Sequence, residues 1–251
     1  MSRHPATKFV VFTTNRSGST WLMSTLNHLP NVTGQGELFL PRPRSTEKRW
    51  DSDFACPRFV EAQAGGSRIR PFAVFSYLDA LYNSPGVVGF KLMYEQLGLY
   101  PEIALYLMRR RIRVVHLVRQ NHLDVVVSYA VKAKLGQAHL LSGQRAPADM
   151  GVELDPKKLL DQLTWLHKKQ QLARRLLRWC RLPHIEVTYE DLLRDPAHFR
   201  RIVDFLALGG VETMPQSTLL KIRQGGHREV IRNYQQVREV LMNSQFTGLL
   251  E

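Results

Sequence analysis

Residues 8–29 read KFVVFTTNRSGSTWLMSTLNHL. Lys8 to Thr14 is a short apolar run rich in β-formers, Asn15 to Gly18 is a polar turn, and Ser19 to about Leu29 is amphipathic. The order is strand, tight turn, helix. Where a helix starts, the first backbone N–H groups have no intrahelical acceptor and the macrodipole is positive, so an anion fits. The turn Arg16-Ser17-Gly18-Ser19-Thr20 suits a phosphate in every position. Gly18 lets the backbone come close, Ser17, Ser19 and Thr20 offer hydroxyls, and Arg16 brings a permanent positive charge.

Further β-like runs follow at Val87–Leu92, Arg113–Val118 and Ile185–Tyr189, with helical patterns from Glu95 to about Met108 and from Leu123 to Leu135 between them. Strands alternating with helices predict an α/β fold, a central parallel sheet covered on both faces. Asp155-Pro156 and Asp195-Pro196 each read as an N-cap followed by proline at the first helical position. They open helices that run to about Arg181 and to about Leu208. The first of these carries an apolar stripe through Leu159, Leu163, Leu166 and Leu177. Its basic face, with Lys157, Lys168, Arg175 and Arg178, reads as solvated and not as a binding surface. Pro41–Gly66 and Gly136–Glu153 read as irregular, the second long enough to be a lid. No repeat and no domain boundary stands out, so residues 1–251 are expected to form one domain.

A chain of 251 residues with 44% apolar composition can bury one sizeable core. It contains no apolar run of the roughly 18 residues that a membrane span needs, and no signal-peptide pattern opens it. A soluble, cytoplasmic protein is expected. The two cysteines, Cys56 and Cys180, lie far apart without metal-ligand spacing and read as idle thiols. The net charge of +13 suits polyanions. The basic residues are spread along the chain with no basic tail and no aromatic-interleaved RNA motif, so nucleic acid is not the expected partner. A multiply phosphorylated nucleotide or an acidic acceptor accounts for the charge, and peripheral membrane contact is compatible with it.

A nucleoside-triphosphate loop would read GxxxxGK[ST], with an aspartate ending a neighbouring strand to help hold magnesium. Here the GK pair is missing, and the third strand ends in Val118-Arg119, a cation in the carboxylate's place. A donor whose transferred group carries less charge than a phosphoryl group can be served by protein cations with no metal. Phosphosulfate chemistry meets that description.

Taken together, these segments resemble the superfamily of sulfotransferases that use 3′-phosphoadenosine-5′-phosphosulfate (PAPS). Arg16 to Leu22 is similar to its 5′-phosphosulfate loop, in the arginine-first form of bacterial and carbohydrate enzymes. Val115 to Arg119 with Ser128 is similar to the 3′-phosphate motif, Ser128 standing one position further from the arginine than in cytosolic members. Tyr189-Glu190-Asp191-Leu192 is similar to the segment whose tyrosine lies near the adenine. Lys221 to Arg223, with Ile231 to Tyr234, is similar to the loop that closes over the 3′ side. The resemblance implies a P-loop-like sulfotransferase fold. The donor would be held by Arg16, Ser17, Gly18, Ser19, Thr20, Trp21, Arg119, Ser128, Tyr189 and Arg223, and the sulfuryl group would pass to a hydroxyl of a small molecule, glycan or lipid.

That hydroxyl must lose a proton, so a base is needed. By resemblance, many cytosolic members place a histidine two residues after a lysine at the end of the second strand. In Lys91-Leu92-Met93 the corresponding residue is Met93. Glu37, in Gly34-Gln35-Gly36-Glu37, matches the glutamate that bacterial relatives such as the mycobacterial trehalose sulfotransferase use. Lys91 is then a second cation at the transferring group. His116 sits inside an apolar strand and reads as a core histidine with no catalytic role. A P-loop nucleoside or sugar kinase and a non-catalytic polyanion-binding module are the rival readings.

Overall fold

The computed structural model describes residues 7–40, 54–61, 70–135, 140–141, 150–209, 219–220 and 226–250. In chain order the elements begin with β1 (Lys8–Thr13), α1 (Ser19–Asn27), β2 (Val32–Glu37), α2 (Arg58–Glu61), α3 (Pro71–Tyr82), β3 (Val87–Met93), α4 (Tyr94–Leu99), α5 (Glu102–Arg110) and β4 (Arg113–Val118). They continue with α6 (His122–Leu135), β5 (Leu140–Leu141), α7 (Pro156–Trp179), β6 (His184–Thr188), α8 (Tyr189–Arg194), α9 (Pro196–Leu206), β7 (Leu219–Leu220), α10 (His227–Val230) and α11 (Tyr234–Met242). The chain divides into two compact units: Met1–Val118 with Ala173–Ser217, and Arg119–Leu172 with Thr218–Glu251.

The first unit is an α/β structure around a five-stranded sheet in the order β2-β3-β1-β4-β6, with every pairing parallel. Side chains alternate along a strand, and β1 shows what that does here. Phe9 and Val11 face a cluster with Leu22, Met23 and Leu26 of α1 and Phe199, Ile202 and Leu206 of α9. Val10 and Phe12 face the other cluster, with Val74 and Leu78 of α3 and Ile103, Tyr106 and Leu107 of α5. Burial on both faces is why these strands read as nearly continuous apolar runs. The helix after β1 thus lies on one face and the helices after β3 on the other, which opens a crevice at the C-terminal ends of these neighbouring strands.

Several elements depart from the sequence reading, among them β2, α3 and the pair α4 and α5. The edge strand β2 was not expected, because VTGQGE has a single apolar residue. Besides pairing with β3, it is held by α1: the Asn27 side chain donates to the Gly34 carbonyl at 2.9 Å and accepts from the Gly34 N–H at 2.6 Å, acting as a short extra strand. A Cβ on Gly34 would fall 2.1 Å from Met23 Sδ, so only glycine lets α1 come this close. The helix α3 occupies a part of the chain to which the sequence reading assigned no element. The helix expected from Glu95 to Met108 is two helices, since the break at Tyr100-Pro101 starts a new turn where proline has no N–H to give.

In the second unit α6, the first turns of α7, α10 and α11 enclose their own core, including Leu123, Val127, Leu159, Leu163, Ile231, Val237 and Leu241. Asn233 ties it together, accepting from the Leu154 N–H at 3.1 Å and donating to the Leu154 carbonyl at 2.8 Å. Both expected Asp-Pro caps are present. Asp155 accepts from the Lys157 N–H at 3.0 Å and Asp195 from the Ala197 N–H at 2.8 Å.

Candidate active site

The turn between β1 and α1 is held from below by hydroxyls. Thr13 Oγ1 lies 2.6 Å from Ser17 Oγ and 2.6 Å from the Leu117 carbonyl oxygen, both buried. The carbonyl can only accept, so the single Thr13 proton goes to it, and the Ser17 hydroxyl bonds back to Thr13. Ser17 therefore spends its side chain on the turn and can offer a ligand only its backbone N–H. Arg16 and Gly18 both have left-handed backbone, with φ of 64° and 89°. Left-handed residues next to right-handed ones turn successive N–H groups toward one point, a concavity suited to an anion.

Gly18 is the N-cap of α1, no side chain caps this helix, and its first turn carries no acidic residue. The end of the macrodipole that anions favour is thus left to the two cations beside it. One is Arg16, in the turn itself. The other is Lys91 of β3, only 2% exposed, whose ammonium donates to Thr20 Oγ1 at 3.1 Å. Glu37, at the end of β2, stands in register with Lys91 because a bulge between Gln35 and Glu37 absorbs Gly36. The bulge re-aims the end of this edge strand at the C-terminal edge of the sheet.

Gly18 has a second reason to be glycine, beyond a close backbone approach. The Tyr189 ring, at the start of α8, packs on it so tightly that a Cβ there would fall 2.2 Å from Tyr189 Cδ2. Trp21 meets the same ring edge-on, with centroids 5.9 Å apart. The first unit therefore gathers Arg16, Ser17, Gly18, Ser19, Thr20, Trp21, Glu37, Lys91 and Tyr189 along the C-terminal edge of its sheet.

Arg119 and Ser128 belong to the second unit. Arg119 is nearly buried and its Nη2 donates to Asp124 Oδ2 at 2.6 Å, while Asp124 Oδ1 lies 2.9 Å from His227 Nε2. Ser128 is half-buried on α6. Arg223 lies outside the described residues. The sequence reading missed Asp124 and His227. The signal for Asp124 was its place within the Arg119–Ser128 motif, but His227, about a hundred residues away, had none.

A second polar group inside the first unit also went unseen. His116, fully buried on β4, has Nε2 2.6 Å from the Tyr94 hydroxyl and Nδ1 3.0 Å from Glu186 Oε2. Arg174 grips the same carboxylate with two donors at 2.8 Å. Hydrogen bonds from His116 and Arg174 pull the Glu186 carboxyl down to about 2. Burial, outweighing Glu186, lowers His116, and burial raises the Tyr94 phenol. The ionised Glu186 accepts from Nδ1–H, so Nε2 is the nitrogen left to accept the Tyr94 proton. The core reading of His116 holds as far as its burial goes, but its partners make it part of an ordered polar chain.

No family model matches the chain, and no curated protein does either. Similar solved structures include the sulfotransferase from Alicyclobacillus acidocaldarius, at 12% identity over 86% of each chain and a TM-score of 0.46. Another is the mouse sulfotransferase SULT7A1 complexed with PAP, at 11% identity over 97% of this chain and 74% of that one, with a TM-score of 0.45. A third is the sulfotransferase domain of the curacin biosynthetic pathway, at 17% identity over 91% and 83%, with a TM-score of 0.49.

Proposed function

We propose that the chain is a sulfotransferase that takes the sulfuryl group of PAPS and passes it to a hydroxyl acceptor, releasing 3′-phosphoadenosine-5′-phosphate. One observation carries this reading. A buried lysine and an arginine sit beside the uncapped N-terminus of α1, where the macrodipole already disfavours cations. An anion bound at that end would be favoured by the dipole and by both cations. The absent GK pair and the arginine after β4 separate the site from a magnesium-dependent kinase, and the ordered sequence resemblance supplies the phosphosulfate donor.

In this reading the backbone N–H groups of the turn and the Thr20 hydroxyl hold the 5′-phosphate. Arg16 and Lys91 stabilise the charge that builds on the oxygens of the breaking S–O bond, at no cost in reorganisation. Glu37 takes the proton of the attacking hydroxyl. Trp21 and Tyr189 form an aromatic wall beside the turn, and the adenine is assigned to it. Arg119 and Ser128 are kept as 3′-phosphate ligands on the resemblance alone, and the acceptor is a small molecule, glycan or lipid.

Thermal unfolding in the presence of a metal chelator tests the nucleotide assignment. A hundredfold excess of 3′-phosphoadenosine-5′-phosphate over its dissociation constant stabilises the fold by about 3 kcal/mol. Adenosine 5′-phosphate and ATP give smaller shifts at the same concentration. Equal shifts for all three would remove the 3′-phosphate from the reading.

A further inference from the structure

The helix α7 runs unbroken for 24 residues and buries one side through Leu159, Leu163, Leu166, Ala173 and Leu177. The opposite side is not simply polar. Trp165 is 51% exposed, Leu172 66% and Trp179 80%. They follow one another at intervals of seven, which keeps them on one face with a drift of only about 20° per step. At a rise of about 1.5 Å per residue the stripe is roughly 21 Å long. The helix carries a single acidic residue, Asp161, against Lys157, Lys158, Lys168, Lys169, Arg174, Arg175 and Arg178. Of these, Lys168 and Arg175 flank the stripe and are exposed, and the Lys169 ammonium lies 3.3 Å from the centroid of the Trp165 ring.

We propose that this face of α7 is a contact surface for an anionic lipid bilayer, on which the helix lies flat. Three large apolar side chains in line on the solvent side of a helix form an exposed apolar stripe, the kind of surface that marks an interaction site. Tryptophans at the ends of the stripe suit the boundary between headgroup and acyl chain, and the aliphatic Leu172 between them suits the acyl side. Lysines and arginines on the flanks meet the anionic headgroups. Among the described residues no helix is long and apolar enough to cross a membrane, which fits a helix lying on the surface.

Charge decides against the other occupants. In a two-fold interface with a second copy, the same basic flanks would face each other. A nucleic-acid strand calls for bases stacked on successive aromatics, whereas this stripe has an aliphatic residue at its middle.

The test is flotation of the full chain with vesicles of phosphatidylcholine, with and without phosphatidylserine. The parent protein floats with the vesicles that contain phosphatidylserine, and added salt weakens the binding. Trp165→Ala/Leu172→Ala/Trp179→Ala lowers the affinity at least about tenfold, and Lys168→Glu/Arg175→Glu lowers it by at least about fivefold for each basic residue lost. Leu172 and Trp179 lie mostly in water, so Leu172→Ala/Trp179→Ala leaves the unfolding midpoint at the parent value. Should the triple variant fold poorly, Trp179→Ser alone shows the same direction. Equal flotation of parent and variants, or no flotation with either vesicle, overturns the proposal. So does self-association, or binding of an oligonucleotide, that is lost in the triple variant while vesicles leave the parent unbound.

Discussion

Gly18→Ala is the perturbation whose cost the structure defines best. Two contributions add. A φ of 89° puts an L side chain in the left-handed region, at about 1–2 kcal/mol. The new methyl would sit 2.2 Å from Tyr189 Cδ2 and 2.3 Å from Cε2, and overpacking of this kind costs about 1–3 kcal/mol. The expected loss is therefore about 2–5 kcal/mol, read from urea unfolding. A double-mutant cycle with Tyr189→Ala separates the two. Removing the ring relieves the clash but not the backbone strain, so Gly18→Ala should cost about 1–3 kcal/mol less in the Tyr189→Ala background. If the two substitutions add to within about 0.5 kcal/mol, Tyr189 does not pack on the turn, and the aromatic wall assigned to the adenine is wrong.

Asn27→Ala removes the side chain that pairs with Gly34 and should cost about 1–3 kcal/mol by urea unfolding, while a loss under about 0.5 kcal/mol would mean that β2 does not need it. Stability should fall in acid in two stages. His116 has a lowered folded value, so stability drops as pH falls below its ordinary 6.5, where the unfolded chain binds a proton and the folded one does not. Glu186, held at about 2 against an ordinary 4.5, contributes stability that is present above 4.5 and lost as pH falls toward 2. With its side chain about one-third exposed, that share is discounted to roughly 1–2 kcal/mol. Chemical unfolding from pH 7 to pH 3 checks both, and a Glu186→Gln variant with the parent's acid profile would refute the second. Glu37→Gln cannot take a proton and should lower turnover by about 10² to 10⁴ with nucleotide affinity almost unchanged; single-turnover sulfation at the parent rate would make Glu37 structural.

What was legible in the sequence was local. β1, the turn and α1 are contiguous, and their apolar runs, glycine and hydroxyls state the geometry between Lys8 and Asn27. The Asp-Pro caps at Asp155 and Asp195 are equally local and appear as read. β2 was invisible because nothing in VTGQGE encodes a strand. It forms by pairing with the distant β3, with Asn27 and Met23, one element earlier, fitted around Gly34. Glu37 was found through its motif, yet the reason it stands opposite Lys91 is a bulge that only the pairing register reveals. His116 could be placed in the core, but Glu186 and Tyr94 lie 70 and 22 residues away, and no spacing rule links them. Ser17 illustrates the reverse case, a hydroxyl in the right place whose bond to Thr13 takes it out of service.

Sulfuryl transfer can be followed with a label. The protein is incubated with PAPS labelled in its sulfuryl group and a panel of sugars, lipids, phenols and hydroxyl-bearing peptides, in chelator, and products are read by mass spectrometry. Label should appear on at least one hydroxyl acceptor, 3′-phosphoadenosine-5′-phosphate should be released in equal amount, and Lys91→Met should lower the rate by about 10² to 10³. Label that stays in PAPS with every acceptor, while the γ-phosphate of ATP is transferred once magnesium is added, would contradict the proposed function.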